Sequence, residues 1–157
     1  MRHALTTLAV ASLLSACASP PTVGSRESDV RAYYGAPVAE RAAPDGGKIL
    51  DYSRAPLGRE NYRVTLGKDG TVQSVRNLLS EDNFVNVKAG MTKAEVQQTL
   101  GRHGETSGFP NLGEEVLSWR FWGEVAQPMF FNAHFDPSGR LKYTTRTEEL
   151  RPQFEEQ

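Results

Sequence analysis

The sequence predicts an α+β protein made of two tandem units, each with helical structure followed by an antiparallel meander. Three observations support this: a glycine–valine–glycine spacing that occurs twice, helix start and stop signals in each copy, and alternating apolar residues separated by glycine turns. Repeated spacing indicates duplication, and a period of two is typical of strands that bury one face. Each unit alone has too few apolar residues for an independent core, so we expect the two sheets to join or to pack into one body.

The helices are predicted from the repeated glycines. Gly24 and Gly90 are each followed by a valine six residues later and by a second glycine, Gly35 or Gly101, eleven residues later. The pattern Thr-Lys-Ala-Glu that begins at Thr92 is a capping box, in which a hydroxyl and a carboxylate satisfy backbone amides at the helix start. The second glycine of each copy ends the helix, because glycine adopts the conformation that follows a last helical turn.

Strands are predicted after each helix, where apolar residues alternate with polar ones. They are residues 48–54, 61–66 and 71–76 in the first unit and residues 116–122, 129–135 and 140–145 in the second. Glycine-containing turns at residues 68–70 and 136–139 supply the positive φ that a tight hairpin needs. The chain therefore divides into a first unit over residues 23–79, a second unit over residues 80–146 and an acidic tail over residues 147–157, which we expect to be flexible.

The N-terminal segment, residues 1–16, is predicted to be a lipoprotein signal peptide. Arg2 precedes an apolar run that is too short to span a bilayer. The segment ends in Leu-Ser-Ala followed by Cys17, which resembles the bacterial lipobox. That resemblance implies cleavage before Cys17 and lipidation of its thiol, and the alanine that follows implies sorting to an outer membrane. Residues 17–22 would then be a linker, and an ordinary signal peptide with an incidental cysteine is the alternative.

The second unit resembles the SmpA/OmlA (BamE-like) outer-membrane lipoproteins over residues 87 to 145. The matching residues are Gly90-Met91-Thr92, Val96, Leu100-Gly101, Trp119-Arg120-Phe121 and Phe135-Asp136-Pro137-Ser138-Gly139. The resemblance implies helix-helix-β-meander units with the helices packed on one face of the sheet. Two such units in tandem are similar in architecture to the β-lactamase-inhibitor proteins. Arg102-His103-Gly104 departs from the family, where proline is common. The family implies a protein-binding lipoprotein, including accessories of outer-membrane assembly.

The composition argues against an enzyme and against nucleic-acid binding. The chain has 18 basic and 19 acidic residues, a net charge of −1, so it lacks the basic excess that phosphate backbones attract. Cys17 is the only cysteine, and no phosphate loop or nucleophile elbow occurs. Glu114 and its neighbour Glu115 are interpreted as solvated loop charges. We therefore expect no catalytic residue, no cofactor and no metal, and we expect His134 to point to solvent.

Candidate binding residues lie on the predicted face of the second sheet opposite its core. They are Arg120, Trp122, Phe130, Asn132 and His134, and Phe109, in a predicted loop, is a second candidate contact. Tryptophan and arginine are enriched at binding hot spots, whereas the alternative is that Trp122 and Phe130 cover the join between the units. The predicted function is binding of an envelope protein, held at the membrane by the lipid on Cys17. A periplasmic inhibitor of a hydrolase and a small-ligand or lipid-binding protein are the alternatives.

Overall fold

A computed structural model describes residues 19–149, and their regular structure is mostly antiparallel β. Strands and bridges account for 43% of the structure and helices for 18%. The elements are α1 (Glu27–Tyr34), β1 (Ala39–Ala42), β2 (Lys48–Ser53), β3 (Asn61–Leu66), β4 (Val72–Asn77), α2 (Glu81–Phe84), α3 (Lys93–Leu100), β5 (Glu105–Phe109), a 3₁₀ turn (Pro110–Leu112), β6 (Glu114–Trp122), β7 (Pro128–Phe135) and β8 (Leu141–Glu148). Within this part of the chain, no helix is long and apolar enough to cross a membrane. The predicted signal peptide, Cys17 and the end of the predicted tail lie outside the described residues.

The predicted α+β architecture of helix-helix-meander units is wrong. Strands β1–β4 form one four-stranded meander and β5–β8 form a second, separate one. A single helix, α1, precedes the first sheet in the described chain, and α2 is only four residues long. The strands that were not predicted are the edge strands β1 and β5, whose side chains are mostly exposed. An edge strand is held by backbone hydrogen bonds on one side and needs no apolar alternation, so the pattern did not reveal it.

The two units share the same local geometry where each begins. The amide of Gly24 donates to the Val72 carbonyl at 2.8 Å, and the amide of Gly90 donates to the Leu141 carbonyl at 2.7 Å. The φ angles of the two glycines are +90° and +88°, a conformation that residues with a side chain rarely adopt. The residues before each eight-residue helix thus pair with the last strand of the same unit, and this pairing places the helix across its sheet.

Helix α3 is held by its cap and by its apolar side. Thr92 Oγ1 accepts a hydrogen bond from the Glu95 amide at 3.2 Å, and the Glu95 carboxylate accepts one from the Thr92 amide at 2.7 Å. Val96 and Leu100 lie one turn apart and are fully buried against the second sheet. Gly101, with a φ of +78°, ends the helix. A helix this short is unstable alone in water, so packing on the sheet stabilises it.

Each sheet buries one face in a core of its own, so the expectation that neither unit has an independent core is wrong. The first core consists of Val30, Leu50, Tyr52, Val64, Leu66 and Val72. The second consists of Leu79, Phe84, Val87, Val96, Leu100, Leu117, Trp119, Phe121, Phe131, Ala133, Phe135 and Leu141. The second core is larger because α2 contributes Phe84, whose ring stacks on Phe131 with centroids 4.2 Å apart.

The units meet where the C-terminal turn of α3 contacts the outer side of the first sheet. Asn61 Nδ2 donates to the carbonyls of Leu100 and Arg102 at 2.7 and 2.9 Å. Arg63 Nη2 donates to the carbonyl of Gln98 at 2.9 Å. The last carbonyls of a helix have no partner inside it and carry partial negative charge, so an amide and a guanidinium are suitable donors. Side chains of the first unit thus cap a helix of the second.

Candidate protein-binding face

The side of the second sheet that faces away from its core carries all six predicted binding residues. This outer face consists of Phe109 in β5, Glu114, Val116, Ser118, Arg120 and Trp122 in β6, Phe130, Asn132 and His134 in β7, and Tyr143, Thr145 and Thr147 in β8. These side chains alternate with the buried ones, as the pleat of a strand requires. Phe109 ends strand β5 and does not lie in a loop.

The structure does not bring the predicted residues together in one site. Phe109 pairs with Glu114 at the start of β6, whereas Trp122 pairs with Pro128 at its end. The strand between Glu114 and Trp122 is about 26 Å long at about 3.3 Å per residue. The outer face therefore has two ends. The Trp122 end includes Arg120 and Phe130, and the Glu114 end includes Phe109 and His134.

Arg120 is occupied by contacts within the protein. Its Nη1 donates to the Pro56 carbonyl of the first unit at 2.8 Å, and its Nε donates to Glu149 at 3.1 Å. Its Nη2 pairs with Glu105 at 2.5 Å, and the guanidinium lies 5.1 Å from the centre of the Phe130 ring. Only 16% of the side chain is exposed. Arg120 thus fastens a loop of the first unit to the second sheet.

Trp122 is half exposed, and the first unit holds it in place. The Arg59 guanidinium lies 4.6 Å from the centre of the indole ring, close enough for a cation–π interaction. Arg59 also forms an ion pair with Glu149, the same carboxylate that binds Arg120. The ring nevertheless remains 49% exposed. Leu57, in the same loop as Arg59, and Val125, in the hairpin after Trp122, are 74% and 83% exposed.

Asn132 lies in the middle of the outer face and links three strands. The Ser118 hydroxyl donates to Asn132 Oδ1 at 2.7 Å. Asn132 Nδ2 donates to the hydroxyls of Thr147 at 3.1 Å and Thr145 at 3.3 Å. Since these groups satisfy one another, the middle of the outer face is a polar side-chain network that stabilises strand pairing.

The Glu114 end is built around a buried carboxylate that the sequence analysis missed. Glu114 is 7% exposed, so its interpretation as a solvated loop charge is wrong. It accepts from the Tyr143 hydroxyl at 3.1 Å, lies 3.2 Å from His134 Nδ1 and pairs with Lys142. The hydrogen bond from Lys142 holds the pKa of Glu114 below its usual value, against the opposing effect of burial. Extending the alternation of β6 back to Glu114 would have placed it on the same face as Arg120 and Trp122.

The expectation that His134 points to solvent is wrong. Its ring stacks on Tyr143 with centroids 4.4 Å apart, and its Nε2 lies 3.1 Å from the Thr145 hydroxyl. Only 15% of the side chain is exposed. Phe109 and Tyr143, by contrast, are 47% and 44% exposed. The accessible groups at the Glu114 end are thus two aromatic rings and the Lys142 side chain, which is 42% exposed and paired with Glu114.

A cleft of about 390 Å³ lies between the units. Its lining comprises Val38, Ala39, Asp51, Tyr52, Ser53, Leu78, Gln97, Gly101, Arg102 and His103. Asp51 is engaged by Arg41 at 2.6 Å and by Arg63 at 2.7 Å, and burial lowers the pKa of His103. Within residues 19–149, no three His, Cys, Asp or Glu side chains are grouped to hold a metal ion. The absence of cofactors and metals from this protein stays a prediction.

Comparison with known proteins gives only weak structural likenesses. No protein-family model and no curated protein matches the chain. One similar solved structure is a DUF4309 family protein, YjgB, from Bacillus subtilis. It is 17% identical in sequence, the match covers 80% of this chain and 79% of that chain, and the TM-score is 0.31. Another is an extracellular protein containing a SCP domain from Bacillus anthracis. It is 8% identical in sequence, the match covers 93% of this chain and 57% of that chain, and the TM-score is 0.34. Likenesses this weak carry no argument about fold family or function.

Proposed function

We propose that this protein is a lipid-anchored, non-catalytic lipoprotein of the bacterial envelope, and that the Trp122 end of its outer face binds another envelope protein. The lipobox that ends at Cys17 supports the anchor. The resemblance of residues 87 to 145 to the SmpA/OmlA lipoproteins favours the outer membrane and a role accessory to outer-membrane assembly. Inhibition of a hydrolase and binding of a small ligand or lipid stay predictions.

The observation that carries the proposal is that Trp122 is both accessible and oriented. The indole ring is 49% exposed although the Arg59 guanidinium packs 4.6 Å from its centre. An aromatic side chain already held in one orientation loses little conformational entropy on binding, and tryptophan is among the residues most often found at hot spots. Val125, three residues after Trp122, and Leu57, two residues before Arg59, are also exposed apolar residues.

The charges around Trp122 indicate what kind of partner surface fits it. Arg59 and Arg120 share the carboxylate of Glu149, and Arg120 also pairs with Glu105. Because these cations are already paired with carboxylates, they offer little to an acidic partner, and only Arg59 packs on the tryptophan ring. The expected partner therefore presents an apolar pocket to the indole ring, without a cluster of carboxylates.

In-cell crosslinking tests this surface. A photo-crosslinker at position 125 is placed in the full-length lipoprotein, and the captured neighbour is identified by mass spectrometry. Trp122→Ala is expected to lower the captured amount at least about tenfold, because truncating a hot spot costs about 2 kcal/mol or more. Phe109→Ala, at the other end of the same sheet, is the matched control. Capture that survives Trp122→Ala but is lost in Phe109→Ala would move the binding surface to the Glu114 end.

The anchor is tested separately by membrane fractionation of a Cys17→Ser variant. Loss of the lipid attachment site is expected to shift the protein from the membrane fraction to a soluble or unprocessed form, since lipid chains supply the membrane affinity. A processed variant that still sediments with the membrane would contradict the lipid anchor while leaving the Trp122 surface untouched. Identification of outer-membrane assembly proteins among the crosslinked neighbours would support the accessory role.

A further inference from the structure

The chain that follows the predicted lipid attachment site packs against the first unit after a few residues. Pro21, the fourth residue after Cys17, is buried. The Thr22 amide donates to the Ser25 hydroxyl, and the Ser25 amide donates to the Thr22 carbonyl, both at 3.0 Å. Four residues of fully extended chain reach at most about 14 Å. A lipid on Cys17 would therefore keep this part of the protein close to the bilayer surface.

The chain enters the first unit at one end of the first sheet. The Glu27 amide, at the start of α1, donates to the Gly70 carbonyl at 3.1 Å. Gly70 belongs to the turn between β3 and β4, residues 67–71, and the turn between β1 and β2, residues 43–47, lies at the same end, because β2 begins opposite the residue where β3 ends. We refer to residues 19–26 together with these two turns as the entry end.

Val23 gives the entry end an exposed apolar side chain. It is 73% exposed, in the turn that follows Pro21. Transfer of such a side chain from water into the boundary between lipid headgroups and acyl chains is favourable. A single valine buries too little area to bind a membrane by itself. Val23 would therefore help to orient the protein on the bilayer, while the lipid supplies the affinity.

The charges of the entry end balance. Its basic residues are Arg26 and Lys68, and its acidic residues are Asp45 and Asp69. Each carboxylate accepts a hydrogen bond from the backbone of its own turn, at 3.1 Å for Asp45 and 3.0 Å for Asp69. Attraction to anionic lipids needs a cluster of basic residues. The entry end is therefore suited to a lipid surface of any charge, and its position depends on the short tether.

Trp122 lies towards the opposite end of the first sheet. Arg59, which packs 4.6 Å from the centre of the indole ring, belongs to the loop that follows β2, whereas the entry end precedes β2. The six residues of β2 span about 20 Å at about 3.3 Å per residue. The strands of the first unit therefore separate the Trp122 end of the outer face from the point where the lipid tether joins the protein.

We infer that the entry end is the surface that faces the membrane, with Val23 at the level of the lipid headgroups and Trp122 on the side away from the bilayer. This inference rests on the proposed lipid anchor. It also specifies the partner further. The surface that receives Trp122 belongs to a part of an envelope protein that extends into the aqueous phase, because the first unit lies between the tryptophan and the lipid.

Quenching of tryptophan fluorescence at the bilayer surface tests this orientation. The full-length lipidated protein is reconstituted in phosphatidylcholine vesicles that contain a lipid with a nitroxide on its headgroup, and vesicles without nitroxide give the unquenched signal. The native Trp119 and Trp122 are expected to be quenched little. The tryptophan added in Val23→Trp is expected to lose at least about twice as much fluorescence as the one added in Val125→Trp, the matched control at an exposed valine beside Trp122.

Flotation of the same vesicles separates failure of this inference from failure of the proposed function. Protein that does not float with the vesicles lacks the anchor, and the orientation is then refuted with it. Protein that floats, with equal quenching in the two variants or stronger quenching in Val125→Trp, would overturn the inference and leave the anchor intact.

A longer tether tests the physical cause of the orientation. A flexible Gly/Ser insertion of about twenty residues between Ala18 and Ser19 reaches about 25 Å. It is expected to lower the quenching of Val23→Trp, while the protein still floats with the vesicles. Adding phosphatidylglycerol to the vesicles is expected to change nothing, because the entry end has no excess of basic residues. Quenching of Val23→Trp that appears only with this anionic lipid, or that is unchanged by the insertion, would contradict the inference that the short tether holds the entry end at the membrane.

Discussion

Replacing Asn61 by alanine tests how the two units are held together. Asn61 is 2% exposed, and its amide donates to the carbonyls of Leu100 and Arg102 at the end of α3. A buried carbonyl that loses its donor costs about 1–3 kcal/mol. The bond to Arg102 is only partly buried, so water can replace part of it. We therefore expect Asn61→Ala to lower the free energy of unfolding by about 2–4 kcal/mol, a large share of the total for a small domain.

Urea unfolding followed by tryptophan fluorescence measures this loss. Both tryptophans of the chain, Trp119 and Trp122, are in the second unit, whereas Asn61 is in the first. A lower midpoint of the fluorescence transition therefore reports coupling between the units. Asn111→Ala, at an exposed asparagine, is the matched control and should stay within about 0.5 kcal/mol of the wild type. An Asn61→Ala loss no larger than that of the control would refute the idea that this side chain joins the units.

Three further outcomes are expected. Thr92→Ala removes the cap of α3 and should cost about 1 kcal/mol in urea unfolding; Thr92→Ser should recover most of it. Gly101→Ala should lower the free energy of unfolding by about 1–3 kcal/mol, because the glycine φ is +78° and the new methyl would stand 2.8 Å from the Asn61 amide nitrogen. Gly108→Ala is the control, because a methyl group at that position meets no atom within 4 Å, and it should not destabilise the protein. Burial opposes ionisation of Asp51, but hydrogen bonds from two arginines outweigh it and lower its pKa. The contribution of ionised Asp51 to the free energy of unfolding is therefore present above its unfolded pKa of about 4 and is lost as the pH falls further. A free energy of unfolding that does not change between about pH 5 and 3 would contradict this.

The parts of the fold that depend on local pattern could be predicted from the sequence. The alternation in β6 and β7 placed Trp119 and Phe131 on one face, and both are buried. The capping box at Thr92 begins a helix as predicted. Gly70 and Gly139 supply positive φ in the turns where glycine was expected. These features depend on residues close together in the chain, so the physical cause of each can be seen in a short stretch of sequence.

The parts that depend on contacts between distant residues could not be predicted. The edge strands β1 and β5 have no apolar pattern and exist because a neighbouring strand offers hydrogen bonds. Glu114 is buried because Lys142 and Tyr143 reach it from another strand. Trp122 contacts a loop from the first unit through Arg59, more than sixty positions earlier in the chain. The family resemblance implied two helices in each unit, whereas the described residues are mostly antiparallel β and the first unit has one helix, so this part of the predicted architecture was wrong.

The hydrogen bonds of Gly24 to Val72 and of Gly90 to Leu141 join the beginning of each unit to the first residue of its last strand. These hydrogen bonds also set the order of folding during synthesis, because the partner of each glycine leaves the ribosome about fifty residues after the glycine itself. Each half of the chain therefore has to be synthesised almost in full before its helix can pack on its sheet. This order favours folding of the two units one after the other.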